Sequence, residues 1–160
     1  MENISVKPEK MKLATALTER SDIQRRLSEL DTRLKNNAKV QEGEAPSEDP
    51  KALLEEAERL VSRLEELVSR INLTNSTTYS DGVSMTELLS KRDCLKQRIT
   101  LLSGLRDHAS IKVDRYSRTE IKIVSTVDVA ELQAKIDSLS KELRITDEKI
   151  QELNWTTELK

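Results

Sequence analysis

Between Pro50 and Ile71, apolar residues fall at Leu53, Ala57, Leu60, Leu64, Leu67 and Ile71, in steps of four and three. That spacing follows one face of an α-helix and no face of a β-strand, whose side chains alternate every second residue. Leu54, Val61 and Val68 widen the stripe at seven-residue intervals. Such a segment buries its stripe by lying along another helix. Three more segments carry a less regular version, through Leu13–Leu34, Met85–Leu102 and Val129–Leu153. The expected fold class is therefore all-α. It is an elongated, coiled-coil-like arrangement of four helices, paired as two antiparallel hairpins, in one helical domain spanning residues 1–160.

Local signals place the helix ends. The first helix should run from about Met11 to Asn36, closing at Asn36–Asn37, residue types that tolerate the left-handed backbone of a helix C-cap. Asp49 before Pro50 marks the second start, since aspartate accepts from free amides and proline suits the first helical position. That helix should end near Asn75. Ser84 with Glu87 forms a capping box for a third helix over Met85–Ala109, and Asp128 with Glu131 opens a fourth over Val129–Asn154. Asp81–Gly82 is a hairpin-turn signal. Ile121 and Ile123, alternating with charge, make residues 119–125 the best strand candidate, and a small β element from 77–84 and 119–125 is expected.

Matching the first two stripes in antiparallel fashion puts Leu34 opposite Leu53, Leu30 opposite Ala57, Leu27 opposite Leu60, Ile23 opposite Leu64 and Ala16 opposite Ile71. An echo also runs through the chain. Leu13, Leu17, Arg20, Ile23, Arg26, Leu27 and Leu30 recur 72 positions later as Met85, Leu89, Arg92, Leu95, Arg98, Ile99 and Leu102. Two related hairpins, 11–78 and 85–157, are the corresponding expectation.

Reaction chemistry is hard to assemble from these residues. His108 and Cys94 are each single, and a zinc site needs about four ligands. On one helix the two would stand roughly 21 Å apart, too far to act as a nucleophile–base pair. Glu42, Glu44, Glu48 and Asp49 match no calcium loop. No glycine-rich phosphate cradle is present. Neither an enzyme nor a cofactor is expected.

Arg20 and Arg92 stand where the stripes call for leucine. Each should pack its stem along the seam and reach an acid at the rim, Arg20 beside Glu66 and Arg92 beside Glu142. Alternatively, the two form polar layers that set the register between helices. Two loops are candidate partner-facing surfaces, one through Asn36, Asn37, Gln41, Glu42 and Glu44, the other through Arg115, Tyr116, Arg118 and Lys122. The second is the main basic cluster, but Asp114 and Glu120 dilute it, so nucleic-acid binding is not expected. Nor does the net charge of −2 across 160 residues, 35% of them charged, favour nucleic acid or membrane. No window approaches the 18 or so apolar residues of a membrane span, and Met1–Leu13 lacks the apolar core of a signal peptide. A cytoplasmic protein is the expectation. Apolar surface in excess of one partner helix predicts a homo-oligomer, first of all a dimer.

Several runs resemble a family of small bacterial helical proteins known as septicolysin-like. They are Asn-Asn-Ala-Lys-Val-Gln-Glu-Gly-Glu at 36–44, Glu-Asp-Pro at 48–50, Arg-Tyr-Ser-Arg at 115–118, Glu-Ile-Lys at 120–122, Thr-Val-Asp-Val at 126–129 and Asn-Trp-Thr-Thr-Glu-Leu at 154–159. The resemblance implies a bacterial origin and a small helical architecture. Through the family's label it also implies a pore-forming, membrane-active relative. It assigns no catalytic residues. The residues themselves favour a structural or interaction protein, a helical scaffold presenting its loops to a protein partner.

Overall fold

The structure is a computed structural model, and it describes residues 10–110, 121 and 123–160. Among these residues four helices form, α1 (Leu13–Asn36), α2 (Pro50–Thr77), α3 (Met85–Ala109) and α4 (Val129–Thr156), with two short strands, β1 (Tyr79–Ser80) and β2 (Val83–Ser84). Over the described residues the protein is all-α with one two-stranded sheet. That sheet differs from the expected element. The partner of β1 is β2, and Ile121 and residues 123–125 are not in a strand, while residues 119, 120 and 122 of the expected segment lie outside the described residues. The local turn is sufficient: Asp81 and Gly82 take φ of 52° and 80°, as a tight two-residue hairpin requires, so no distant segment is needed.

Helix ends follow the capping chemistry. The Asp49 side chain accepts from the Lys51 amide at 3.0 Å, with Pro50 at the first helical position. Ser84 and Glu87 bond reciprocally, the Glu87 amide donating to Ser84 Oγ at 3.2 Å and the Ser84 amide to Glu87 Oε2 at 2.8 Å. Asp128 accepts from the amides of Ala130 and Glu131 at 2.8 and 3.0 Å. α2 runs two residues past the expected Asn75. Its last turn is supported by Thr77 Oγ1, which donates to the Leu73 carbonyl at 2.7 Å.

The backbone divides into two compact units, residues up to Ser80 with Leu153–Lys160, and Asp81–Glu152. In the first, α1 and α2 pack antiparallel. Leu13, Ala16, Ile23 and Leu30 of α1 and Leu53, Leu67 and Ile71 of α2 are buried, each on the stripe read from the sequence. The register, however, is displaced by about one helical turn. Arg26 bonds Glu56 at 2.9 Å and Arg63 bonds Glu19 at 2.7 and 3.1 Å. The matched stripes would have put Arg26 level with Val61 and Glu19 level with Val68. Repeating stripes interlock comparably at several offsets, so ion pairs off the seam and the connection between the helices select one.

Residues 157–160 are not a loose tail. Lys12 carries no capping side chain, and the Leu13 amide is satisfied by the Thr157 carbonyl at 3.0 Å. The Leu159 amide donates to the Met11 carbonyl at 2.8 Å. Thr74, fully buried, accepts from the Lys160 amide at 2.9 Å and donates to the Arg70 carbonyl at 2.8 Å. Leu159 is itself buried, so the end of the hairpin near Leu13 and Ile71 is closed by chain from the far terminus.

In the second unit α3 and α4 also run antiparallel. Arg106 bonds Gln133 at 2.7 Å, and Lys91 pairs with Glu142 at 2.8 Å. Met85, Leu95, Ile136 and Ile150 are its buried apolar residues.

Truncating Leu67, which has no exposed surface, should cost roughly 2–5 kcal/mol of stability. Truncating Val61, which is 48% exposed, should cost under about 1 kcal/mol. Urea unfolding of Leu67→Ala and Val61→Ala checks this difference, and equal midpoints would show that α2 buries a different face.

Candidate functional site

The connection between α1 and α2 is long, and a long structureless loop within a compact fold is usually functional or disordered. This one is ordered, because both of its ends are bonded. The Asn37 amide closes α1 on the carbonyls of Arg33 and Leu34 at 3.1 and 3.3 Å. Its side chain then reaches both ways: Nδ2 donates to the Arg33 carbonyl at 2.9 Å, and Oδ1 accepts from the Glu48 amide at 3.0 Å. The Arg33 guanidinium grips the Glu48 carboxylate, Nε lying 3.0 Å from Oε2 and Nη2 also bonding Oε1. Between these anchors the Glu44 amide donates to the Gln41 carbonyl at 3.0 Å, and Gly43 supplies φ of 90°. The result is a shallow recess of about 400 Å³, lined by Asn36, Asn37, Lys39, Val40, Gln41 and Glu44 among others.

Asn36, Gln41, Glu42 and Glu44 are exposed, as expected of a partner-facing loop, and Val40 beside them is 48% exposed. Asn37 is not outward-facing. It is buried, with φ of −103° rather than a left-handed value, because its amide group is used on both sides of the loop. Arg115, Tyr116, Arg118 and Lys122, the other candidate surface, lie outside the described residues.

The two seam arginines do not form the expected bridges. Glu66 is held by Arg63 at 2.8 Å and Arg70 at 3.4 Å, and Arg20 keeps a buried Nε with no hydrogen-bond partner. Arg92 bonds its own neighbour Asp93 at 2.9 Å, while Glu142 goes to Lys91. The displaced register explains the first case, since α2 presents Arg63 to α1 where the matched stripes did not. Arg63 is a cation of α2 that joins it to α1, and Glu19 and Glu66 together hold it more firmly protonated than a free arginine. A stripe search passes over it because it lies off the seam.

The four acids of the loop do not converge. Glu48 is on Arg33 and Asp49 is on the Lys51 amide. Among the described residues no three His, Cys, Asp or Glu side chains gather to hold a metal ion. Among them also, no helix is long and apolar enough to cross a membrane. Cys94 and His108 are both exposed on α3.

The family of unknown function DUF6847 matches residues 20–159. The chain belongs to this family. It is also similar to the crystal structure of a functionally unknown conserved protein from Corynebacterium diphtheriae. The TM-score is 0.88 and the sequence identity 48%, over 95% of this chain and 100% of that one. No curated protein matches it.

The hydrogen bonds from Arg33 hold the Glu48 carboxyl below the ordinary carboxylate range. A carboxyl lowered on folding contributes stability at pH values above its unfolded pKa, and that contribution is lost as pH falls through the folded pKa. Both partners are well exposed, so the effect is small. Glu48→Gln should leave stability less sensitive to pH below about 4 than the parent, as read by urea midpoints across an acid series. Parallel pH curves for the two proteins would mean that the Arg33–Glu48 grip is absent in solution.

Proposed function

We propose that this DUF6847 protein is a non-enzymatic interaction protein, a helical scaffold that holds the loop 37–49 in a fixed conformation for a protein partner. The observation that carries this reading is the Asn37–Arg33–Glu48 clasp, which fixes the base of the loop while Gln41, Glu42 and Glu44 point outward. A loop ordered before binding loses less conformational entropy on association, which is what a recognition surface gains from such bonding. A photo-crosslinking residue at Gln41, with the protein expressed in its native host, should trap one discrete adduct. The same residue at Glu131, exposed on α4, should not. Asn37→Ala should weaken the Gln41 adduct severalfold by freeing the loop. Identical adducts from both positions, or none from Gln41, would defeat the reading.

Self-association is the second reading. It is favoured by Leu101 and Leu105 on α3, which are 74% and 44% exposed. Two leucines one turn apart in contact with water suit a helix–helix contact between copies. Light scattering at tens of micromolar should give a dimer and Leu101→Glu a monomer. A monomeric parent would remove this reading.

A further inference from the structure

α2 carries two apolar columns and α1 takes one. The second, Leu54, Val61 and Val68, is 52%, 48% and 37% exposed. Seven-residue spacing keeps these side chains nearly in line, so they form a continuous strip along the helix. Glu58 and Glu65 stand four residues after Leu54 and Val61, one turn further along, and edge the same strip.

The charge state of that edge is informative. Elsewhere on α2, Glu56 bonds Arg26 and Glu66 bonds Arg63 and Arg70, while Glu55, on another side of the helix, makes no ion pair among the described residues. Glu58 and Glu65 are exposed, and among the described residues no lysine or arginine bonds either carboxylate. Of the unbonded cations of α2, Arg59 follows Glu58 directly and so projects about 100° around the helix from it, and Lys51 stands seven residues before Glu58, at the N-terminal end of the strip. Between Leu54 and Val68 the strip is thus an apolar contact surface bordered by two unpaired carboxylates, with Lys51 beyond its N-terminal end.

We infer that this face binds an α-helix of a partner protein whose own apolar column, at seven-residue spacing, is flanked by lysine or arginine. The inference rests on the reading of the chain as an interaction protein, and adds to the loop a second surface with a stated partner chemistry. Three other occupants fit less well. A second copy placed antiparallel across Val61 would match Leu54 with Val68, but would also bring Glu58 and Glu65 against the same acids of its mate, and like charges at that spacing oppose pairing. Nucleic acid would be repelled by the two acids and gains nothing from the aliphatic strip. An anionic lipid surface meets the same repulsion.

Three synthetic peptides of about three heptads test this by fluorescence anisotropy against the full chain. One has a leucine column flanked by lysine, one the same column flanked by glutamate, and one the first composition scrambled so that no column forms. The lysine-flanked helix should bind at least about tenfold more tightly than either of the others. Val61→Glu should abolish the difference. The double variant Glu58→Lys, Glu65→Lys should reverse the preference toward the glutamate-flanked peptide. All three positions are exposed, and circular dichroism of the variants should show the helix content of the parent. Equal binding of the column and its scramble would overturn the inference, because charge alone would then explain it. So would a dimer that Val61→Glu dissociates, because a second copy would then occupy the strip. Neither outcome touches the Gln41 crosslink, so the loop reading stands or falls separately.

Discussion

The packing of α1 on α2 is the contact on which the first unit depends. Leu13, Ala16, Ile23 and Leu30 are removed from water with Leu53, Leu67 and Ile71, and burial of this kind is the main favourable term in folding. The seam supplies most of the attraction but little of the specificity. Its repeat allows neighbouring offsets to bury comparable area, so the observed offset is chosen by contacts outside it. The Glu19–Arg63 and Arg26–Glu56 pairs are partly exposed, and each is individually weak. They need only discriminate between offsets that burial leaves nearly equal.

The same offset shapes the surface. Once α2 is seated with Leu53, Leu67 and Ile71 inward, Leu54, Val61 and Val68 have no place in the hairpin and remain in contact with water. The loop 37–49 is likewise a consequence of how the two helices end. Asn37 satisfies the last turn of α1 and the chain entering α2 at once, and Arg33, a last-turn residue favourable to the helix dipole, is also the cation that holds Glu48. One short set of residues therefore ends a helix, orders a loop and presents its acids outward. Closure of the other end by residues 157–160 uses the same logic: an uncapped helix start and a buried threonine each take a backbone partner from the far terminus.

Much of this was legible in the residues. The 3–4 stripes located four helices, and Asp49–Pro50, Ser84–Glu87 and Asp128 placed the starts of three of them, because capping is a local bargain between one side chain and the next two or three amides. The exposed loop acids were legible too, since 38–49 holds no apolar residue larger than Val40 and Pro46. Other features were not. Asn37 looked like a left-handed cap and is a buried bridge. Arg20 and Arg92 looked like bridging arginines, and Arg63 and Lys91 bridge instead. The expected small β element is present, but among the described residues it is formed within 79–84 alone.

What the sequence alone determined was everything set within a turn or two of chain: helix identity, helix starts, the inward stripe and the tight Asp81–Gly82 turn. Only the tertiary structure decided the register of α1 on α2, the partner of each charged side chain, the docking of residues 157–160 and which apolar column stayed exposed. The physical reason is degeneracy. A heptad stripe states that a helix must have a neighbour, but its own periodicity makes successive offsets nearly equal in energy. The choice among them falls to contacts between residues far apart in the chain.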